Sequence, residues 1–252
     1  MTDTVLATVA LSRHFGGLAA VSNVTLDCAM REVHAVIGPN GAGKTTLINL
    51  LSGDLAPSAG AISLFGADIT GLAPHQISQR GVGRSYQKTN VFLEFSAFEN
   101  CRLAAQSRFG SSMRFVRRAS AYLELNRAAE RALAAAGLES RSGELASALS
   151  HGEQRQLEIA MTLATQPKLL LLDEPLAGMG SEESASMVAL LRSLRPEHAM
   201  LLVEHDMDAV FALADRLTVM VSGQVLASGP PAEIRANPAV QEAYLGEEAH
   251  DG

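Results

Sequence analysis

The sequence predicts an α/β fold: a mostly parallel sheet with covered faces, joined to an antiparallel β subdomain and interrupted by an inserted α-helical subdomain. Three observations carry this. Short, almost wholly apolar runs at 33–37, 169–172, 200–203 and 217–221 are spaced by helical stretches, as buried parallel strands are. The first thirty residues instead alternate apolar and polar positions, the pattern of half-buried strands. Residues 88–165 turn to alanine, leucine and arginine with helical spacing.

In chain order, Val5, Ala7, Val9 and Leu11, then Val24 and Leu26, alternate on either side of a Gly16-Gly17 turn, which predicts an antiparallel edge. Residues 33–37 form a strand that runs into a glycine-rich turn, and 45–52 carry apolar residues at helical spacing. Between 53 and 71, Pro57, several glycines and a short apolar piece at 61–65 predict small strands and turns, so the β-rich part extends to residue 86. In the helical insertion, the stretch 127–136 stops at Gly137. Its arginines Arg102, Arg108, Arg114, Arg117 and Arg118 read as a solvated helix face. Strand 168–172, helix 181–194 and strands 200–203 and 217–221 complete the alternation. The expected organisation is a single domain, 1–252, with a core from 1–86 and 166–230, the helical subdomain 88–165 and a tail 231–252.

With 47% hydrophobic and 19% charged residues in 252, the chain has ample material for a core. A net charge of −7 opposes nonspecific nucleic-acid binding, which needs a basic footprint. No apolar run approaches the 18 or more residues of a membrane span. The first ten residues lack the basic cluster and apolar stretch of a secretory signal, so residence in the cytosol is expected. Cys28 and Cys101 stand far apart without metal-ligand neighbours and read as buried thiols.

The residues Gly38, Pro39, Asn40, Gly41, Ala42, Gly43, Lys44 and Thr45 fit G-x-x-x-x-G-K-[ST], with a strand before and a helix, continuing through Thr46, after. Its glycines let successive N–H groups and a helix N-terminus converge on phosphate oxygens. Lys44 neutralises β- and γ-phosphate charge, and the Thr45 hydroxyl reaches Mg²⁺. The apolar strand 169–172 ends in Asp173 and Glu174, where an open parallel sheet places its ligands. Asp173 suits Mg²⁺, and Glu174 suits a base for the attacking water. His205 follows another apolar strand and is, by position, either a γ-phosphate sensor or a structural hydrogen-bonder. Position alone equally leaves Gln87, at the join of the β-rich and helical parts, as a surface glutamine.

Ser150, His151, Gly152, Glu153 and Gln154, preceded by Leu149, resemble the LSGGQ signature of ATP-binding-cassette (ABC) ATPases, just before the strand at 169–172 as that family requires. The resemblance covers nearly the whole chain. It implies a P-loop NTPase (RecA-like) core, an adenine-stacking role for Phe15, a Mg²⁺- and water-contacting role for Gln87 and a switch role for His205. It also implies that the signature helix closes on ATP held by a second ATPase chain, identical or different. Two positions depart from the pattern: His151 stands where the signature has glycine, and Gly180 stands where many cassettes have Asp or Asn.

The segments 15–21, 149–160, 204–207 and 237–246 resemble ATPases of branched-chain amino-acid (Liv-type) importers and their urea- and amide-importing relatives. That likeness implies an importer ATPase at the cytoplasmic face of a bacterial inner membrane. Two transmembrane permeases and a periplasmic solute-binding protein would be its partners, with Leu/Ile/Val favoured over urea, short amides or aromatic acids. A soluble ABC ATPase acting on ribosomes or DNA fits less well, because such proteins fuse two cassettes or carry long or basic insertions.

Overall fold

A computed structural model describes residues 3–85, 90–108 and 119–248. Strand β1 (Thr4–Phe15) turns through Gly16, at φ +59°, into β2 (Leu18–Val24), so the expected hairpin forms where glycine relieves the left-handed turn. β3 (Asp27–Ala29) and β5 (Ala59–Leu64) also pair antiparallel with β1, and β5 pairs with β6 (Ala67–Asp68).

Among the described residues the second sheet has the order β11-β10-β4-β9-β8-β7. These strands are β4 (Val33–Ile37), β7 (Val82–Arg84), β8 (Leu169–Asp173), β9 (Ala199–Val203), β10 (Arg216–Val221) and β11 (Gln224–Gly229). All neighbours are parallel except β11, which returns antiparallel along β10. Two of these edge strands were not visible in the sequence. β7 spans three residues including Gly83, too short for any periodicity, and lies in a stretch that reads as turns. β11 alternates exposed and half-buried positions and is placed by its partner β10. The short helix α2 (Pro74–Gln79) likewise has only Ile77 buried.

The pleat divides the core. On β8, Leu170 and Leu172 face one apolar cluster while Leu169 and Leu171 face the other, and all four are fully buried. At about 1.5–3 kcal/mol for each buried leucine, this strand anchors both layers. One layer holds α1 (Lys44–Leu51) and the antiparallel sheet. The other holds α3 (Ala97–Gln106), α4 (Ala119–Ala135), α5 (His151–Ala164), α6 (Ser181–Leu194) and α7 (Met207–Leu213). α8 (Pro231–Ala236) and α9 (Pro238–Glu248) add Ile234 and Val240 to that second layer.

Both cysteines are buried, and burial pushes the Cys101 thiol up to about 12. Arg108 departs from the solvated-face expectation: its guanidinium donates to the Gln79 carbonyl at 2.9 Å, tying the end of α3 to α2. Arg114, Arg117 and Arg118 lie outside the described residues. No helix among the described residues is long and apolar enough to cross a membrane.

Candidate active site

The loop leaving β4 is shaped by glycine. Gly38 has φ +149°, and a Cβ there would run into the Met220 carbonyl; Gly43 has φ +97°, and a Cβ there would run into the Ala20 carbonyl. Both neighbouring strands therefore press directly on the loop backbone. Gly43 is also the N-cap of α1 and, having no side chain, leaves the helix entrance without a side-chain cap. First-turn N–H groups uncapped in this way form an anion seat reinforced by the helix dipole. Lys44 is nearly buried and folds back over the loop, donating to the Gly38 and Pro39 carbonyls at 2.5 and 2.9 Å.

This loop floors a cleft of about 540 Å³, lined by Asn40, Gly41, Ala42, Gly43, Lys44, Thr45 and Thr46 together with Phe15, Leu18, Ala19, Ala20, Glu174 and Ser222. Phe15 ends β1 at the cleft wall, exposed despite its size, with the Arg13 guanidinium 4.7 Å from its ring centroid. An exposed aromatic backed by a cation is a stacking platform.

At the end of β8, Asp173 is buried and its Oδ1 has no hydrogen-bond partner. Its Oδ2 lies 3.9 Å from the Arg84 guanidinium. Desolvation raises the Asp173 pKa, with Glu174 adding to the rise and Arg84 and Lys44 opposing it. A buried carboxylate oxygen left without a donor is the kind of group that fits a cation ligand. Arg84 itself also reaches Asp54, Asn49 at 2.6 Å and Ser52 at 2.5 Å, bracing the end of α1 against β8. Nothing in the sequence marked Arg84, since β7 was not recognisable as a strand.

Glu174 adopts φ +50°, a left-handed conformation uncommon for a residue with a side chain. Its N–H donates to Val203 at 2.9 Å, and its carbonyl accepts from Ala177 at 3.1 Å, so the turn is held on both sides. The result is a half-buried carboxylate in the same cleft as the glycine-rich loop after β4.

His205 follows β9 and is largely exposed, its Nδ1 3.7 Å from Glu204 Oε2. Glu204, the first residue of the segment 204–207, has no role that its sequence position indicates. It is 1% exposed and accepts from the Leu176 N–H at 2.8 Å and the His205 N–H at 3.1 Å. Burial raises its pKa against those hydrogen bonds. One carboxylate thus links the turn after Glu174 to the turn carrying His205. Asp206 caps α7, accepting from Ala209 at 3.1 Å.

Ser150 is the N-cap of α5 in a reciprocal capping box: it accepts from the Glu153 N–H at 3.2 Å, and Glu153 accepts from the Ser150 N–H at 2.8 Å. Gln154 donates to the Ala146 and Leu149 carbonyls at 3.1 and 3.3 Å. His151 is exposed and its ring stands beside Gly178. Gly152 is buried, and its N–H donates to Glu183 of α6 at 3.3 Å.

The cleft thus gathers Phe15, Asn40 to Thr46 and Glu174, while the signature residues Ser150, Gly152 and Glu153 border a separate hollow of about 260 Å³. His205 lies beside Glu204 outside the residues that line the cleft. Gln87 lies outside the described residues.

A family model described as "ABC transporter" matches residues 21–177, and one described as "Branched-chain amino acid ATP-binding cassette transporter" matches residues 224–250. The high-affinity branched-chain amino acid transport ATP-binding protein LivG of Salmonella typhimurium is 41% identical, over 98% of this chain and all of that protein. BraF of Pseudomonas aeruginosa, which carries the same description, is 39% identical over 98% of this chain and all of its own length. Among solved structures, the ADP conformation of MJ1267, an ATP-binding cassette of an ABC transporter, superposes with a TM-score of 0.85 at 27% identity, covering 96% of this chain and 99% of that one.

Proposed function

The chain belongs to the ATP-binding proteins of ABC transporters, in the branched-chain amino-acid group, and from that premise we propose that it hydrolyses MgATP to drive uptake of branched-chain amino acids. The observation that carries the catalytic part is the placement of Glu174 in one cleft with the phosphate loop and an exposed aromatic. Phe15 stacks on the adenine. The N–H groups of Gly41 to Thr46 and the entrance of α1 hold the phosphates, and Lys44 leaves the Gly38 and Pro39 carbonyls for the β- and γ-phosphate oxygens.

Thr45, Asp173 and, by resemblance, Gln87 would hold Mg²⁺, which supplies charge neutralisation on the phosphates. Glu174 takes a proton from water as its oxygen attacks the γ-phosphorus, and the bond to the bridging oxygen breaks to release ADP and phosphate. His205 orients the γ-phosphate. Ser150, His151, Gly152, Glu153 and Gln154 face the nucleotide of a second cassette, so each chemical site needs two chains. Their separation from the phosphate loop within one chain supports this reading.

The permeases are the membrane partners, and a groove of about 390 Å³, with Arg84, Ser85, Asn90 and Glu158 among its walls, is the surface we assign to them. The periplasmic solute-binding protein acts through the permeases, and this chain sits peripherally at the cytoplasmic face. The test is reconstitution with the permeases and the second cassette, reading ATP-dependent leucine uptake and ATPase activity together. Uptake of urea or an amide in place of leucine would change the solute assignment, and no magnesium-dependent nucleotide binding by the chain would sink the whole reading.

A further inference from the structure

The hollow over the α5 entrance presents a physical conflict. It is lined by Ser150 and Gly152, which are to meet a phosphate, and also by Glu153, Glu182 and Glu183. Glu153 is neutralised by its capping role and by Arg141, whose Nε lies 3.1 Å from its Oε1. Glu183 is different. Its Oε1 accepts from the Gly152 N–H and its Oε2 from the Gly180 N–H, both at 3.3 Å. These are long bonds, which release more readily than the 2.8 Å bond of the capping box. The carboxylate lies close against position 152: a Cβ there would stand 2.6 Å from Oε1 and 2.9 Å from the carboxyl carbon, so a side chain at 152 would displace it.

We infer that Glu183 is a positioning residue that occupies the Gly152 amide while the cassettes are apart and surrenders it to the γ-phosphate of the partner's ATP when they close. This rests on the function proposed above and adds to it a competition at the signature helix. The carboxylate favours the positive end of α5 as any anion does, so its departure opposes closure. Its second oxygen, on Gly180, links that departure to the turn between Glu174 and α6. ATP arrival at one helix entrance is thereby transmitted along the same side chain to the segment that follows the catalytic glutamate.

The test uses the full transporter, this chain with its second cassette and permeases, carrying Glu183→Gln or Glu183→Ala. Glutamine keeps the stem and an acceptor oxygen but removes the charge, so the ATP concentration for half-maximal hydrolysis should fall roughly two- to fivefold, the range of one charge at a helix entrance. Glu183→Ala should move it the same way. Binding of a fluorescent ATP analogue to the isolated chain, which uses only its own phosphate loop, should stay unchanged for both variants. Half-saturation that is unchanged or raised in Glu183→Gln would overturn the competition. A rise confined to Glu183→Ala, with Glu183→Gln like the parent, would make Glu183 a helix cap only and would overturn it as well. Failure of the unaltered chain to bind the analogue would instead strike the functional reading.

Discussion

The Glu204 carboxylate, fully enclosed at the end of β9, receives the Leu176 N–H at 2.8 Å and the His205 N–H at 3.1 Å, so two turns from different strands share one acceptor. Replacing it by alanine leaves both donors without a partner, a loss of about 1–3 kcal/mol of stability. Glu204→Gln, which keeps the volume and one acceptor oxygen, should lose less. Because the shared acceptor fixes both turns, kcat should fall in both variants while nucleotide affinity holds. Denaturant melts beside steady-state kinetics check this, and a Glu204→Ala protein of parental stability would refute it.

Glu174→Gln should cut hydrolysis by about 10²- to 10⁴-fold, the usual contribution of a general base. Neither the left-handed turn nor the phosphate loop depends on the charge of the side chain, so nucleotide affinity should be retained. Single-turnover hydrolysis with a parallel binding titration measures both, and parental turnover would remove Glu174 from its role.

Phe15→Ala should weaken nucleotide affinity by about 1–3 kcal/mol, the scale of one base stacked on an aromatic ring. Phe15→Trp should retain it, since the Arg13 guanidinium that backs the ring remains. Comparing ATP with a nucleobase-free triphosphate isolates the effect, because only ATP affinity should respond.

Gly43→Ala should be damaging on two counts. Its φ of +97° costs about 1–3 kcal/mol for a residue with a Cβ, and the added methyl would meet the Ala20 carbonyl. Gly41→Ala has a positive φ but open space around its Cβ, so it should lose less stability. Thermal melts of the two variants, expected in that order, provide the check.

His34, buried on β4, donates from Nδ1 to the Asp27 carbonyl at 2.7 Å and accepts at Nε2 from the Thr218 hydroxyl at 2.7 Å. Burial lowers its pKa from 6.5 to about 4. The unfolded chain therefore takes up this proton first as pH falls. The stability His34 contributes is complete above pH 6.5 and is lost toward pH 4, by about 3 kcal/mol at most. The buried carboxylates Asp173 and Glu204 run the opposite way, their raised values favouring the fold as they protonate. The decisive measurement is the imidazole resonance itself, which should report neutral His34 at pH 5; titration near 6.5 would contradict it.

The central strands were legible because β4, β8 and β9 are buried on both faces, and such strands must be continuously apolar. The glycine-rich turn after β4 was legible because its glycines answer to backbone geometry, and Gly38, Gly41 and Gly43 all adopt positive φ. β7 and α2 were not, since tertiary neighbours determine elements that short. Neither Arg84 nor Glu183 could be singled out, because each matters through partners more than 25 residues away in sequence. Glu204 opens the segment 204–207, yet only its burial separates a strut from a solvated acid.

Ile234 and Val240, almost closed off from solvent, lie in the same apolar cluster as Leu170 and Leu172, and Arg235 rests over the Phe211 ring at 5.4 Å. The portion of chain that distinguishes this group from other cassettes is therefore also masonry. Chimaeras that trade it for another cassette's ending must refill the same volume, or a change in permease choice and a collapse of the fold become one indistinguishable readout.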